Sequence, residues 1–243
     1  MKKTVAIAFA LSSALISGYG AATDNPPKTE NVASEVKLNF FRGFYENDCV
    51  GTLLTNNLVL TASHCIVDSW VAYPQRQLDV QYGNEFRHTV RLYTGSGPAW
   101  KKFDPETDLA LIRLASPVKA EDGAEPATLV EACSELPVLD GPVTGIGYRR
   151  MRDDGDYLPR PQHNTSTIPF VRTGKSALAN GKSYISDNGP NGRPGDSGGG
   201  VFTPEGVLFG VWNGNSGKHD YVSALCVYVD RIRAESAALG VPF

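Results

Sequence analysis

The chain has 243 residues, with 23 Lys and Arg against 26 Asp and Glu and a formal net charge of −3 at pH 7. Proteins that bind nucleic acid or anionic membranes normally carry an excess of basic residues, so this balance argues against both classes. The length suits one large domain or two small ones, with enough chain to bury a hydrophobic core.

The first 22 residues have the features of a secretory signal peptide. Lys2 and Lys3 form a short positive head, residues 4–11 are apolar, and small residues follow up to Ala22. A membrane anchor is the alternative, but the apolar stretch is short for a bilayer and two serines interrupt it. Cleavage after Ala22 predicts a secreted or periplasmic protein with no membrane insertion. Loss of both lysines would make the mature chain more acidic.

The rest of the chain has the pattern of an all-β protein, because short apolar stretches alternate with Gly, Asn, Asp and Pro clusters. The predicted strands are residues 35–44, 50–54, 58–62, 78–82, 88–93, 109–114, 143–148, 207–212 and 224–229. One helix is predicted at residues 230–239, ended by Gly240. Residues 23–34 are expected to be a flexible start, and residues 116–127 a linker between two β-rich halves.

The four cysteines predict two disulfides. A hairpin turning at residues 56–57 would bring Cys49 close to Cys65, directly beside a histidine. Cys133 and Cys226 remain, and their pairing follows by elimination. Four buried free thiols are the alternative, which the signal peptide disfavours because disulfides persist in exported proteins.

Three short motifs carry the chemistry. They are Thr-Ala-Ser-His-Cys at residues 61–65, Thr-Asp-Leu-Ala-Leu at residues 107–111 and Gly-Asp-Ser-Gly-Gly at residues 195–199. A serine hydroxyl is a poor nucleophile at neutral pH. Acyl transfer therefore needs an imidazole to accept its proton and a carboxylate to orient that imidazole. Ser197, His64 and Asp108 are the candidates for nucleophile, general base and orienting acid.

These motifs resemble those of the chymotrypsin/trypsin-like serine proteases, in which His, Asp and Ser occur in the same order. The resemblance covers roughly residues 35–243 and implies two six-stranded antiparallel β-barrels followed by a C-terminal helix. The barrels would span about residues 35–118 and about residues 128–230. The resemblance also implies an endopeptidase that acts through an acyl-enzyme, with an oxyanion hole formed by the backbone N–H groups of Gly195 and Ser197.

The specificity pocket departs from the family pattern. The resemblance places Asn191 at the pocket base, and Asn213 and Asn215 on the strand that pairs with substrate. Arg193 stands where the family has a cysteine that braces the pocket. Asp187 would make the pocket acidic only if the loop carries an insertion. The preferred side chain at the cleavage site is therefore left open.

The activation mechanism departs as well. In the family, the carboxylate at Asp196 would pair with a new N-terminal ammonium, but no Ile-Val-Gly-Gly start occurs between residues 23 and 49. Arg193 could supply an internal partner, as would suit an enzyme without a zymogen step. The alternative is a new N-terminus at Thr23, left by signal-peptide removal, or at Thr29, exposed by a cut after Lys28, although neither offers the apolar residue that normally inserts.

Two other interpretations of these motifs are possible. The run around Ser197 also fits the Gly-x-Ser-x-Gly elbow of α/β-hydrolases. That elbow needs a strand before the serine and a helix after it, whereas residues 188–194 look like a loop and glycines follow. The second reading is a catalytically silent trypsin-fold binding protein, which the irregular pocket and missing activation terminus favour.

Expected partners follow from the same residues. Protein or peptide substrates are predicted, and a protein inhibitor could control the enzyme. The chain has no His-Glu-x-x-His motif, no clustered Cys and His ligands and no phosphate-binding loop. We therefore expect neither a metal nor an organic cofactor.

Overall fold

The computed structural model describes residues 34–42, 45–66, 77–82, 85–91, 93–94, 97–98, 100–103, 107–119, 124–133, 141–151, 157–170, 183–186, 195–215 and 220–243. The predicted signal peptide, nearly all of the predicted flexible start, and Asp187, Asn191 and Arg193 lie outside these residues. Within them the chain is mostly β-strand and ends in one α-helix.

The described part contains sixteen strands, several of them only two or three residues long. In chain order they are β1 (Glu35–Arg42), β2 (Tyr45–Thr55), β3 (Leu58–Ala62), β4 (Gln77–Tyr82), β5 (Glu85–Arg91), β6 (Tyr93–Thr94), β7 (Gly97–Pro98), β8 (Trp100–Lys102), β9 (Leu109–Arg113), β10 (Thr128–Leu129), β11 (Gly141–Met151), β12 (Tyr157–Phe170), β13 (Ser183–Ser186), β14 (Gly200–Phe202), β15 (Val207–Asn215) and β16 (Asp220–Ala224). The helix α1 is Val229–Ala238. Two 3₁₀ turns, Ser63–Cys65 and Leu225–Val227, follow β3 and β16 directly.

The strands form one large sheet in each half of the chain. The first has seven strands in the order β5-β4-β1-β2-β3-β9-β8. The second also has seven, with six in the order β12-β11-β14-β15-β16-β13 and β10 pairing in parallel with β15. β6 and β7 form a separate two-stranded sheet. Closure of each sheet into a six-stranded barrel stays a prediction, since the edge strands of neither sheet pair with each other among the described residues.

One hydrophobic cluster joins the two sheets. Leu53, Leu60 and Leu111 from the first sheet and Phe209 and Trp212 from the second are at most 1% exposed and belong to the same cluster. The free energy gained by apolar burial scales with the area removed from water, so this shared core stabilises the packing of the two sheets against each other. Residues at the edge of the core are thereby brought together across the two halves.

The predicted hairpin around residues 56–57 is confirmed. β2 and β3 pair antiparallel, with Thr55 opposite Leu58, so that Asn56 and Asn57 form the turn. Asn57 accepts a hydrogen bond from the Thr55 hydroxyl at 3.0 Å. The Asn57 N–H also donates to the Thr55 hydroxyl oxygen at 3.3 Å, and local side-chain hydrogen bonds of this kind favour tight turns.

The predicted strand at residues 224–229 is wrong. β16 ends at Ala224, a 3₁₀ turn follows, and α1 begins at Val229. Short apolar runs do not separate strand from buried helix by periodicity alone. β16 lies earlier, where Asp220–Ala224 pairs with both β13 and β15.

The predicted C-terminal helix is confirmed, one residue earlier at each end than the sequence suggests. Val229, Ile232 and Ser236 form its buried face. Gly240 follows with φ +77°, and its N–H donates to the carbonyl of Ala237 at 2.9 Å, which ends the helix. No helix in the described part of the chain has the length and apolar character needed to cross a membrane.

Candidate active site

The segment carrying His64 is fixed by contacts close to it in sequence. β3 is buried throughout and runs directly into the 3₁₀ turn Ser63–Cys65. The structure joins Cys65 to Cys49 by a disulfide with a Cα–Cα distance of 6.1 Å. The neighbouring Ser63 and Cys65 are buried, while the imidazole of His64 is 44% exposed. A rigid backbone therefore presents a solvent-accessible imidazole.

Asp108 lies beside this turn because β3 and β9 pair antiparallel, with Ala62 opposite Leu109. The backbone carbonyl of Asp108 accepts a hydrogen bond from the N–H of Ser63 at 3.0 Å. Asp108 has φ +47°, the one non-glycine residue with positive φ in the described part of the chain. This left-handed conformation is sparsely populated for residues with a side chain, so surrounding contacts must hold it.

Both carboxylate oxygens of Asp108 are occupied. Oδ1 accepts hydrogen bonds from the Ser63 hydroxyl at 2.8 Å and from the His64 backbone N–H at 2.9 Å. Oδ2 lies 2.8 Å from Nδ1 of the His64 imidazole. An ionised carboxylate only accepts hydrogen bonds, so Nδ1 carries the proton in this pair. A neutral imidazole then has its lone pair at Nε2, the nitrogen that would accept a proton.

The sulfur of Cys65 contacts both the His64 imidazole and the backbone of Ser197. Nε2 of His64 is 3.9 Å from Sγ of Cys65, and the same sulfur is 3.7 Å from the carbonyl oxygen of Ser197. No hydrogen bond joins the Ser197 hydroxyl to the imidazole among the contacts of the described residues. In unliganded enzymes such bonds are often long and tighten only when substrate binds.

The turn that carries Ser197 is held between the two halves of the chain. The N–H of Val50 donates to the carbonyl of Ser197 at 2.8 Å, and the N–H of Gly198 donates to Trp212 at 2.7 Å. The N–H of Trp212 in turn donates to Gly199 at 2.8 Å. Ser197 is thus anchored on β2 from the first sheet and on β15 from the second.

Two glycines allow this turn. Gly195 has φ +104° and Gly198 has φ +86°, both in the region that favours glycine. A Cβ on Gly198 would lie 2.1 Å from the Val50 carbonyl oxygen and 2.2 Å from Oγ1 of Thr61. The protein itself therefore fills the space beside Gly198, and a glycine there allows the turn to approach β2 and β3 closely.

The remaining predicted residues of the site are described only in part. Asp196 is buried at 1% exposure, and the proposed internal donor Arg193 lies outside the described residues. Asn213 is half-buried on β15, and its Nδ2 donates to the Ser223 hydroxyl at 2.6 Å. The backbone of Asn215 pairs with Asp220, while its side chain lies outside the described part.

Sequence reasoning missed two serines. Ser63 bonds the Asp108 carboxylate, and Ser223 donates to the backbone carbonyl of Thr107 at 2.5 Å. The position of Ser63 directly before His64 is a local signal that could have found it. Ser223 stands 116 residues from Thr107, and no spacing rule connects them.

The cysteine sulfurs beside the imidazole are not free to bind a metal ion. The side-chain ligand atoms of Cys49, His64 and Cys65 lie within 4.8 Å of one another, a spacing that a metal ion could bridge. Metal-binding cysteines act as thiolates, and both sulfurs are consumed by the disulfide. The absence of a metal or organic cofactor stays a prediction.

Most of the chain matches a known protein family. The family model Trypsin matches residues 23–234, most of the chain. The chain belongs to the trypsin family. Its match to chymotrypsin-C of Bos taurus is 33% identical over 143 residues, which is 55% of this chain and 51% of that protein. Its match to the vitellin-degrading protease of Bombyx mori is 30% identical over 121 residues, 47% of this chain and 43% of the relative. The chain thus spans about half the length of these trypsin-family relatives.

Solved structures show the same fold. The scabies mite inactivated protease paralogue S-I1 has a TM-score of 0.64 at 20% identity, covering 86% of this chain and 96% of its own. HL collagenase has a TM-score of 0.62 at 22% identity, covering 86% and 95%. At these identities the likeness shows the fold alone, which is chymotrypsin-like. The first of these proteins is an inactivated protease, so the trypsin fold by itself does not determine activity.

Proposed function

We propose that this chain is an exported serine endopeptidase that hydrolyses peptide bonds through Ser197, His64 and Asp108. The observation that carries the proposal is the arrangement of the Asp108 carboxylate, with Oδ2 on Nδ1 of His64 at 2.8 Å and Oδ1 on the two donors beside it. A carboxylate used only to cap a turn has no need of an exposed imidazole. Here it fixes the orientation and the proton of one, as general-base catalysis requires.

The proposed reaction uses these atoms in sequence. Oγ of Ser197 attacks the carbonyl carbon of the scissile peptide while Nε2 of His64 takes the hydroxyl proton. The oxyanion forms against the backbone N–H groups of Gly195 and Ser197. His64 then gives its proton to the leaving amine, an acyl-enzyme remains on Ser197, and a water deprotonated by His64 releases the acid product.

Export has separate support. Both disulfides, Cys49–Cys65 and Cys133–Cys226, suit an oxidising compartment. The predicted signal peptide at residues 1–22 would take the protein there, either to the periplasm or outside the cell. Protein or peptide substrates follow from the family, and a protein inhibitor remains a proposed partner.

A catalytically silent binding protein is the second candidate. It is favoured by the lack of a hydrogen bond between the Ser197 hydroxyl and the imidazole among the described residues, and by Arg193 in the place of the pocket-bracing cysteine. The triad residues argue against it, because a binding surface does not require an oriented imidazole next to a glycine-flanked serine.

A fluorophosphonate probe tests the proposal, since it reacts covalently with activated serines. The full chain should be labelled, the Ser197→Ala variant should not, and Ser116→Ala should be labelled like the wild type because Ser116 is exposed and lies outside the three motifs. Unlabelled wild-type protein should also cleave a mixed peptide library, which would report the preferred side chain, and prior labelling should abolish that cleavage. A folded wild-type protein that neither reacts nor cleaves would favour the silent binder.

A further inference from the structure

We propose that Ser223 is a positioning residue for Asp108, and that Asn213, Ser223 and the Thr107 carbonyl form a hydrogen-bonded chain that holds the acid from the second sheet. This inference rests on the proposed function and adds a residue to it. Ser223 lies on β16 and is 1% exposed, so its hydroxyl exchanges no hydrogen bonds with bulk water. Its two bonds are to Thr107 at 2.5 Å and to Asn213 at 2.6 Å.

The direction of these hydrogen bonds is determined by the Thr107 carbonyl, at which the series ends. A backbone carbonyl only accepts, so the single hydroxyl proton of Ser223 goes to Thr107. The lone pairs of the same oxygen then face Asn213, which must present its NH₂ group. An aspartate at position 213 could not donate this bond. The amide and the hydroxyl are therefore both needed in their present chemical form.

The Thr107 carbonyl matters because it belongs to the peptide that precedes Asp108. The orientation of this peptide is coupled to the φ angle of Asp108, which is +47°. The peptide that follows Asp108 is held from the other side, where the Ser63 N–H donates to the Asp108 carbonyl at 3.0 Å. Both peptides flanking a left-handed, non-glycine residue are thus clamped, one from each sheet. Loss of either clamp would allow the backbone to relax and the carboxylate to turn away from His64.

The same strand also holds the turn of the nucleophile. Trp212 is the residue before Asn213. Its carbonyl accepts a hydrogen bond from the Gly198 N–H, and its N–H donates to the Gly199 carbonyl. Two consecutive residues of β15 therefore have separate roles. Trp212 holds the serine turn through backbone hydrogen bonds, and Asn213 bonds Ser223, which holds the peptide before Asp108. One strand of the second sheet therefore helps to position both Ser197 and Asp108, although Asp108 lies next to β9 of the first sheet.

A buried serine can also serve stability alone, and the chain offers a matched control for that role. Ser236 on α1 is 0% exposed, and its hydroxyl donates to the backbone carbonyl of Val241. Ser236→Ala and Ser223→Ala both leave one buried carbonyl without its hydroxyl donor, and Ser223→Ala also removes the acceptor of the half-buried Asn213 amide. Only Ser223→Ala should disturb the Asp108 and His64 pair.

The first readout is the NMR resonance of the His64 Nδ1 proton, measured in full-length protein without substrate and assigned by its loss in His64→Gln. The proton in the bond to Asp108 should resonate far downfield. Ser223→Ala should shift it or broaden it through faster exchange with water, while Ser223→Thr, which keeps the hydroxyl, and Ser236→Ala should preserve it. Asn213→Ala, at a half-buried position, repeats the test on the outer bond of the chain.

The second readout is steady-state kinetics on a peptide substrate. Ser223→Ala should lower kcat about tenfold with little change in KM, and Ser223→Thr should restore most of it. An unchanged resonance and an unchanged kcat in Ser223→Ala would overturn the inference. A wild type that does not react with a fluorophosphonate would overturn the proposed function instead, while the resonance would still decide the role of Ser223.

Discussion

His64 and Ser197 are held by two different kinds of contact. The backbone around His64 is fixed within the first half of the chain, by β3, by the disulfide to Cys49 and by hydrogen bonds to Asp108. The backbone around Ser197 is fixed by residues far away in sequence, with Val50 on one side and Trp212 on the other. The backbone of the base is therefore held within the first sheet, whereas the nucleophile depends directly on how the two sheets meet and the base does so only through Asp108 and Ser223.

This difference separates the effects of substitutions. Changes around His64 should alter the chemical step while the two sheets stay assembled. Changes around Ser197 should first weaken the packing between the sheets, because the turn has no disulfide of its own among the described residues. Four sets of variants can break or sharpen this contrast.

The largest effect is expected for Asp108→Asn. The amide could still contact His64, but its carbonyl would no longer stabilise a positive imidazole, and the imidazole could adopt the wrong tautomer. A kcat lower by about 10⁴ is expected for this change in a Ser-His-Asp triad. The free energy of unfolding should change far less. Asp230→Asn, at an exposed acid in the first turn of α1, is the control and should keep full kcat. Equal activity of the two variants would remove Asp108 from the mechanism.

Gly198→Ala should have the next largest effect, on stability. The new methyl group would meet the Val50 carbonyl at 2.1 Å in a left-handed backbone conformation. The two penalties together predict a loss of about 2–5 kcal/mol in the free energy of unfolding. Urea denaturation in a Ser197→Ala background, which prevents self-cleavage, measures it.

Gly240→Ala separates strain from crowding. Gly240 has a similar φ of +77°, but the nearest atom to its Cβ would be Nη1 of Arg113 at 3.5 Å. It should cost only about 1–2 kcal/mol, the backbone strain alone. If Gly198→Ala and Gly240→Ala reduced the free energy of unfolding equally, close packing at position 198 would make no separate contribution to stability.

Removing the disulfide beside the general base should have a moderate effect on both stability and activity. Cys49→Ser with Cys65→Ser opens a loop of 16 residues and should cost about 3 kcal/mol of stability. It should also lower kcat severalfold, since Cys65 is the neighbour of His64. Removing Cys133–Cys226 should reduce stability without a matching loss of kcat. Thermal unfolding and peptide hydrolysis of both double variants test this, and a larger kcat loss in the second pair would contradict the local role of the first.

The sequence was most informative where the relevant contacts are local. The hairpin between Cys49 and Cys65 could be predicted from two β-rich stretches and an Asn-Asn turn, and the helix from its pattern and the glycine that ends it. The strand predicted at residues 224–229 failed because a short apolar run suits either a strand or the buried start of a helix. The contacts of Ser223 with Thr107 and Asn213 could not be predicted, since they join segments distant in sequence.

The order and chemistry of the motifs were enough to determine the family, the all-β class and the candidate triad, because residue types and short spacings are written directly in the chain. Only the tertiary structure decided how those residues are held. The left-handed backbone at Asp108 and the closeness of Gly198 to Val50 arise where two sheets bury a common core. Burial favours contact between apolar faces without specifying partners, so the polar contacts at the edge of that core depend on the packed geometry.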